Sequence, residues 1–196
     1  MGRTPLVRGR RPRRPGENIA IPEYDGPFVA CHIVGWRRCW DVSMPNQAFY
    51  YEEHGERIYP AEIVYLNVRS EPGARMNCVV FVLKSGELEA MHRREWIYDR
   101  RIVTSDLCGV RVEGGDVIMC VAREQHVVRG ARSRRQAAVR ASYLRILEQA
   151  LQQVGPAFRA EYERTTDPVP EHLVIHDTLD PDRPNPWAAA GHDYRP

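Results

Sequence analysis

Residues 28–42, Phe-Val-Ala-Cys-His-Ile-Val-Gly-Trp-Arg-Arg-Cys-Trp-Asp-Val, form an aromatic and β-branched run that predicts one long strand, bent at Gly35. Two more apolar runs, residues 62–68 and 77–83, predict further strands. Ser70-Glu-Pro-Gly73 between them is a turn signal, so these two are expected to pair as a hairpin. At residues 86–95 the period changes: Leu88 and Met91 stand three apart among charges, the mark of a short amphipathic helix. Residues 98–107 return to strand, Gly114-Gly115 supplies a turn, and residues 117–122 form another strand.

The last part of the chain reads differently. Over residues 133–154, Val139, Tyr143, Ile146, Leu147, Leu151 and Val154 recur at spacings of three and four, which predicts a long helix ended by Gly155-Pro156. A shorter helix is expected over residues 157–163. Beyond Asp167, recurrent proline predicts an extended strap or a disordered end. Strands followed by helices indicate an α+β domain in which helices cover a mainly antiparallel sheet or small barrel. The expected divisions are a basic Pro/Arg-rich arm over residues 1–26, a domain over 27–168 and a Pro-rich tail over 169–196.

Composition narrows the class. With 196 residues, 43 % apolar and 28 % charged, the chain is long enough for one core. No window reaches the roughly 18–20 consecutive apolar residues of a membrane span, and no apolar stretch follows the N-terminal arginines as in a secretory signal. A cytoplasmic address and reduced cysteines follow as expectations. The five cysteines, Cys31, Cys39, Cys78, Cys108 and Cys120, are widely spaced, mostly within apolar runs, and read as small hydrophobes. Lys84 is the one lysine among 28 basic residues, yet the formal net charge is only +2, so any anionic partner would have to be met by local clusters. Those clusters are Arg8–Arg14 in the arm and Arg129, Arg132, Arg134, Arg135, Arg140 and Arg145 around the long helix. Glu148, Glu161 and Glu163 follow closely and no nucleic-acid motif is present, so nucleic acid is not the expected partner.

The sequence lacks the glycine-rich loops of dinucleotide and P-loop sites, the H-E-x-x-H of zincins and the G-x-S-x-G of hydrolases. His172 and His176 lie four apart among prolines without an evident third ligand, so neither a metal nor a cofactor is expected.

One stretch carries chemistry. Val79-Val80-Phe81 is followed by Leu88, Met91, His92 and Glu95, then by Tyr98-Asp-Arg-Arg-Ile-Val103. This order resembles the γ-glutamylcyclotransferase-like family, in which an apolar strand precedes Leu-x-x-Leu-Asp-x-x-Glu and a Tyr-x-Arg-x-x-Val strand; here Met91 takes the second leucine position and His92 the aspartate position. Gly35-Trp36-Arg37-Arg38-Cys39-Trp40 and Tyr65-Leu66-Asn67-Val68 look like the family's neighbouring strands, and Ser142-Tyr143-Leu144 with Thr166-Asp167-Pro168 like the helical end of its actinobacterial branch. The likeness covers about residues 28–168.

The resemblance implies a small β-barrel with flanking helices, a small-molecule γ-glutamyl substrate, and intramolecular aminolysis to 5-oxoproline and a free amine without a cofactor. Glu95 matches the acidic residue that acts as general acid and base, and Trp96 and Ile97 would shield one side of it. Tyr98, Asn67 and Tyr143 are the candidate substrate-lining positions, with Trp36, Trp40 and Trp96 as core or an aromatic wall. The family's Tyr-Gly-Ser loop, whose backbone amides hold the γ-glutamyl group, has no counterpart here; Met1-Gly-Arg-Thr-Pro resembles what normally follows it. Without those donors a poor cyclotransferase is expected. The alternative is a non-catalytic paralogue or binding module of the same fold that engages an anionic partner through its arginines.

Overall fold

A computed structural model describes residues 28–83 and 85–183. Its centre is a ribbon of two long antiparallel strands, β1 (Val29–Pro45) and β4 (Glu62–Val80), with Val29 opposite Val80 and Pro45 opposite Glu62. Residues 62–68 and 77–83 therefore do not face one another as a hairpin; the first and most of the second belong to one strand, paired along its length with β1. The reason lies at Gly35. It stands against Glu71, Pro72, Gly73 and Ala74, and both Gly35 (φ 80°) and Gly73 (φ 82°) are left-handed. Pro72 offers no N–H to the ladder, so the glycines absorb an irregularity and pairing resumes beyond it. The expected turn is a bulge. A second shift sets Trp40 and Asp41 against Leu66, which releases Asp41 to accept the Val128 N–H on its carbonyl (2.6 Å).

Between the long strands, β2 (Phe49–Glu53) and β3 (Glu56–Ile58) form a hairpin. Its two-residue turn places both His54 (φ 53°) and Gly55 (φ 80°) at positive φ, as a type I′ turn requires. Helix α1 (Ser85–Arg94) falls where leucine and methionine spacing places it. The predicted strand over 98–107 divides: β5 (Tyr98–Ile102) pairs with β7 (Ile118–Ala122), whereas β6 (Leu107–Cys108) joins β1. Val103, 2 % exposed and bonded through its N–H to Val117 O, ends the first ladder, and a helical turn over 104–106 redirects the chain.

The long helix over 133–154 is also corrected. β8 (Ala137–Arg140) is a wholly buried strand lying parallel between β4 and β9 (Val174–Ile175), and α2 (Ala141–Val154) begins only after it. Small alanines let β8 enter the sheet, and ladder bonds in a dry interior outweigh the helix propensity of Ala and Arg. α3 (Pro156–Arg164) follows Gly155 directly. The proline-rich stretch beyond Asp167 runs as a strap: β9 pairs with β8, and β10 (Thr178–Leu179) pairs with β2.

The result is α+β, with a mixed five-stranded sheet ordered β6-β1-β4-β8-β9 beside a three-stranded and a two-stranded sheet. Among the described residues the end strands β6 and β9 do not pair with each other. No helix of the described residues is long and apolar enough to cross a membrane. The Arg8–Arg14 arm lies outside them.

Candidate functional site

Glu95 occupies the turn between α1 and β5. Its N–H closes the last helical bond to Met91 O (2.8 Å), and its carbonyl accepts the Tyr98 N–H (3.0 Å), so this turn is held at both ends. The carboxylate is one-quarter exposed and receives a hydrogen bond from Arg94 Nε at 2.8 Å. Ile97 next to it is buried and passes its carbonyl to the Arg123 N–H (3.0 Å). Trp96 turns outward at 47 % exposure, its ring edge-on to His126 with centroids 5.0 Å apart. Of the two expected shields, only Ile97 is buried.

Ile97 belongs to a core cluster with Val42, Phe49, Ile63 and Tyr65, and Tyr98 and Tyr143 both pack against it. The Tyr98 hydroxyl donates to Leu66 O (3.3 Å) on β4. Both phenols are held well above the ordinary tyrosine pKa. Burial is the main cause for each; the Glu95 charge comes next for Tyr98 and adds to the effect of Tyr162 and Tyr65 at Tyr143. The Cys120 thiol is pushed up to about 11 by burial and then by Glu95. Tyr98 and Tyr143, from a strand and a helix, thus pack on one cluster as neutral phenols, with Ile97 of that cluster two residues beyond Glu95.

Asn67 stands beside this group in another role. Its side chain is buried, donates to Asp41 Oδ1 (2.7 Å) and accepts the Ala122 N–H (2.9 Å), which fastens β4 to β7 and so fixes the strand opposite Tyr98. Trp40 is half-buried and meets Tyr143 edge-on at 6.1 Å. Trp36 lies apart, donating to Asp106 Oδ2 (3.0 Å) beside an open hollow of about 630 Å³ at the Gly35–Gly73 bulge, whose lining does not include Glu95. His92 Nε2 is buried without a hydrogen-bond partner among the described residues. No group of three or more potential metal ligands occurs among the described residues.

The basic helix face disperses. Arg129 pairs with Glu124, Arg135 with Glu53 (2.7 Å), and Arg134 donates to His172 O (3.0 Å), all in the segment before β8 or at its start. Arg140 is buried at the end of β8, and only Arg145 lies exposed on α2. Sequence periodicity had no means of placing Arg140, because a buried arginine ending a strand looks like a solvated arginine on a helix.

No protein-family model matches the chain, no curated protein matches it in sequence, and no solved structure matches it in fold.

Proposed function

We propose that the protein is a γ-glutamylcyclotransferase-like enzyme in which Glu95 is the general acid and base. The packing of Tyr98 and Tyr143 on the cluster that holds Ile97, two residues beyond Glu95, is the observation that carries the reading. In this reaction the α-amine of a γ-glutamyl group attacks its own γ-carbonyl carbon. A C–N bond closes the five-membered ring, the original amide C–N bond breaks, and 5-oxoproline and an amine leave. A free α-amine is largely protonated near neutral pH and must lose a proton before attack, and the departing nitrogen must gain one. One carboxylate serves both transfers. The nucleophile is already tethered, so no covalent intermediate on the protein is required. The neutral phenols of Tyr98 and Tyr143 supply O–H donors for the charge that develops on the carbonyl oxygen, Tyr98 by exchanging its long bond to Leu66 O.

The same reading includes the family's small barrel. A link between two of the separate sheets supports it: Asn67 Oδ1 accepts the Ala122 N–H and so joins β4 to β7 (2.9 Å). The test is incubation with γ-glutamyl-alanine and quantification of 5-oxoproline. Wild-type protein is expected to form it, and Glu95→Gln to lose about 10²–10⁴-fold in rate, the usual contribution of a positioned acid-base group. Equal rates would remove Glu95 from its role, and no product from wild-type protein would end the reading.

A further inference from the structure

Cys31 and Cys78 stand 47 positions apart in sequence and directly opposite one another in the β1–β4 register, with their Sγ atoms 3.4 Å apart. The register of this outer section is set beyond the Gly35–Gly73 bulge, so the meeting of the two sulfurs is a consequence of the fold. Cys39, Cys108 and Cys120 stand opposite Asn67, His32 and Arg100 instead. Cys31 is buried; Cys78 packs against the Ile33, Met76 and Val103 cluster and keeps partial exposure. The adjoining register pair, His32 and Asn77, is where α3 meets the ribbon: His32 Nε2 bonds Glu161 Oε2 (2.9 Å) and Asn77 Nδ2 donates to Phe158 O (2.8 Å).

A disulfide requires Cα atoms about 4.4–6.8 Å apart and an S–S bond of about 2.05 Å. Directly opposed residues of an antiparallel pair have Cα atoms about 4.5 or 5.5 Å apart, inside that range whichever kind of pair they form. Only the sulfurs have to close the remaining gap. We propose that Cys31 and Cys78 are a redox pair, in which a hydroperoxide converts the two thiols into a disulfide that staples the outer end of the β1–β4 ribbon. Cys78, the more exposed, is the attacking sulfur: its thiolate takes the terminal hydroperoxide oxygen, the O–O bond breaks, and water or an alcohol leaves. Cys31 then attacks the Cys78 sulfenic sulfur, the S–O bond breaks, and water leaves as the S–S bond forms. The two thiols are oxidised by two electrons and the hydroperoxide is reduced by two. Burial, then the hydrogen bond and charge of Cys31, raise the Cys78 thiol above its ordinary pKa, which makes the pair slow to react and keeps it reduced until oxidant is sustained. The redox pair is independent of the cyclotransferase reading.

The experiment treats the folded full chain with hydrogen peroxide, blocks remaining thiols by alkylation and digests without reductant. The expected product is a peptide joining Cys31 to Cys78, from a protein lighter by two hydrogens, and dithiothreitol should return both thiols. Because the staple spans a long stretch of chain and restricts mainly the unfolded state, oxidation should raise the urea midpoint by about 1 M, and reduction should reverse the rise. In Cys78→Ala both the joined peptide and the rise should vanish. Sulfinic acid at Cys78 with Cys31 still free overturns the proposal, as does a disulfide that joins other cysteines or two chains. An unchanged midpoint in oxidised wild-type protein, or the same rise in Cys78→Ala, overturns the staple. Should Cys78→Ala fail to fold, the wild-type peptide map and midpoint decide between these outcomes without it.

Discussion

Arg38 is 7 % exposed and Arg140 4 %, but the two guanidinium groups meet different surroundings. Arg38 lies over the Tyr162 ring at 4.5 Å; its Nη1 donates to Thr165 Oγ1 (3.1 Å) and Thr166 Oγ1 (3.2 Å), and its Nη2 to both the side-chain and backbone oxygens of Asn77. The threonine hydroxyls donate onward to α3 carbonyls, to Glu161 O (2.8 Å) and Tyr162 O (2.6 Å), and Asn77 Nδ2 donates to Phe158 O (2.8 Å). Arg37 and Arg69 hold Asp167 from outside. Together these links tie α3 and the Thr165–Asp167 segment after it to the β1–β4 ribbon, with the Asn77 bonds joining the two strands themselves. Arg140 has a thinner set: the faces of Phe49 and Tyr65, a long bond to Ser142 Oγ (3.4 Å), an ion pair with Asp177 at 3.7 Å and an unpartnered Nε. Desolvating a cation costs several kcal/mol, which internal partners must offset. The fuller set around Arg38 should therefore be felt more strongly in stability than the thinner one around Arg140.

Replacement of Arg38 is the largest test of this contrast. Arg38→Met strands Asn77 and the acceptor sides of two threonines in the interior and is expected to cost about 3–5 kcal/mol, as removal of one member of a buried charged set does. Arg140→Lys is expected to stay within about 1 kcal/mol of wild type, since it keeps the charge beside Asp177 and loses only a long bond. Urea midpoints at unchanged m-value measure both. Equal losses would mean that the thinner set around Arg140 holds as firmly as the fuller one.

Asn67 comes next, because it belongs to the frame of the site. Asn67→Leu keeps the volume but leaves the Ala122 N–H and Asp41 Oδ1 without their partner, an expected loss of about 1–3 kcal/mol by the same denaturation. Since Ala122 is paired with Tyr98, 5-oxoproline formation should fall with it. Lost stability with full turnover would place Asn67 outside the frame that orders Tyr98.

How much of this contrast could be read from residues alone varies element by element. The runs around Phe28–Val42 and Ile118–Ala122 declare themselves as strands because aromatic and β-branched side chains suit a pleated surface. Which strands pair is another matter: Ser70-Glu-Pro-Gly73 has turn chemistry, and only Gly35 on the opposite strand makes it a bulge. The His54-Gly55 turn was legible in principle, a two-residue loop ending in glycine between Phe-Tyr-Tyr and Ile58, although aromatic density nearby drew no strand prediction. β8 was not legible, since Ala-Ala-Val-Arg continues a helical period and its burial is decided by strands distant in sequence. For the site, the resemblance singled out Glu95, Tyr98, Asn67 and Tyr143; Tyr98 and Tyr143 pack on one cluster, and Asn67 bonds to the strand opposite Tyr98. Nothing local marked Arg140, whose meaning depends on Phe49, Tyr65 and Asp177 from elsewhere in the chain.

Acid should loosen the saturated side. Hydrogen bonding to His32, against a smaller opposing burial effect, and the nearby Arg164 and Arg75 hold Glu161 below its ordinary pKa of 4.5. Burial pushes Asp167 up, but Arg69 and Arg37 outweigh it and hold the carboxyl below 3.8. Both folded values are depressed, so the stabilisation is fully present above the unfolded values and is lost as pH falls through about 4.5 and then below each folded value. The urea midpoint measured from pH 6 down to pH 3 should decline over that window, and Glu161→Gln should flatten its upper part. A decline of equal size in Glu161→Gln would exclude the His32–Glu161 contact as its source.

The smallest effect on stability is expected at Tyr98, and there the contrast is sharpest. Its hydroxyl makes one long bond to Leu66 O (3.3 Å), while its ring contributes the packing against the Val42–Ile97 cluster. Tyr98→Phe retains the ring and removes only the O–H, so denaturation should register at most about 1 kcal/mol. The phenol stays protonated through neutral pH because burial and the Glu95 charge both disfavour phenolate, so its O–H remains a donor. Loss of that donor should lower the rate of 5-oxoproline release by about ten- to a hundredfold with little change in KM, the signature of an interaction made mainly in the transition state. If instead the melting midpoint collapses and the surviving folded fraction turns over normally, the hydroxyl serves Leu66 alone and the oxyanion-stabilising donor lies elsewhere.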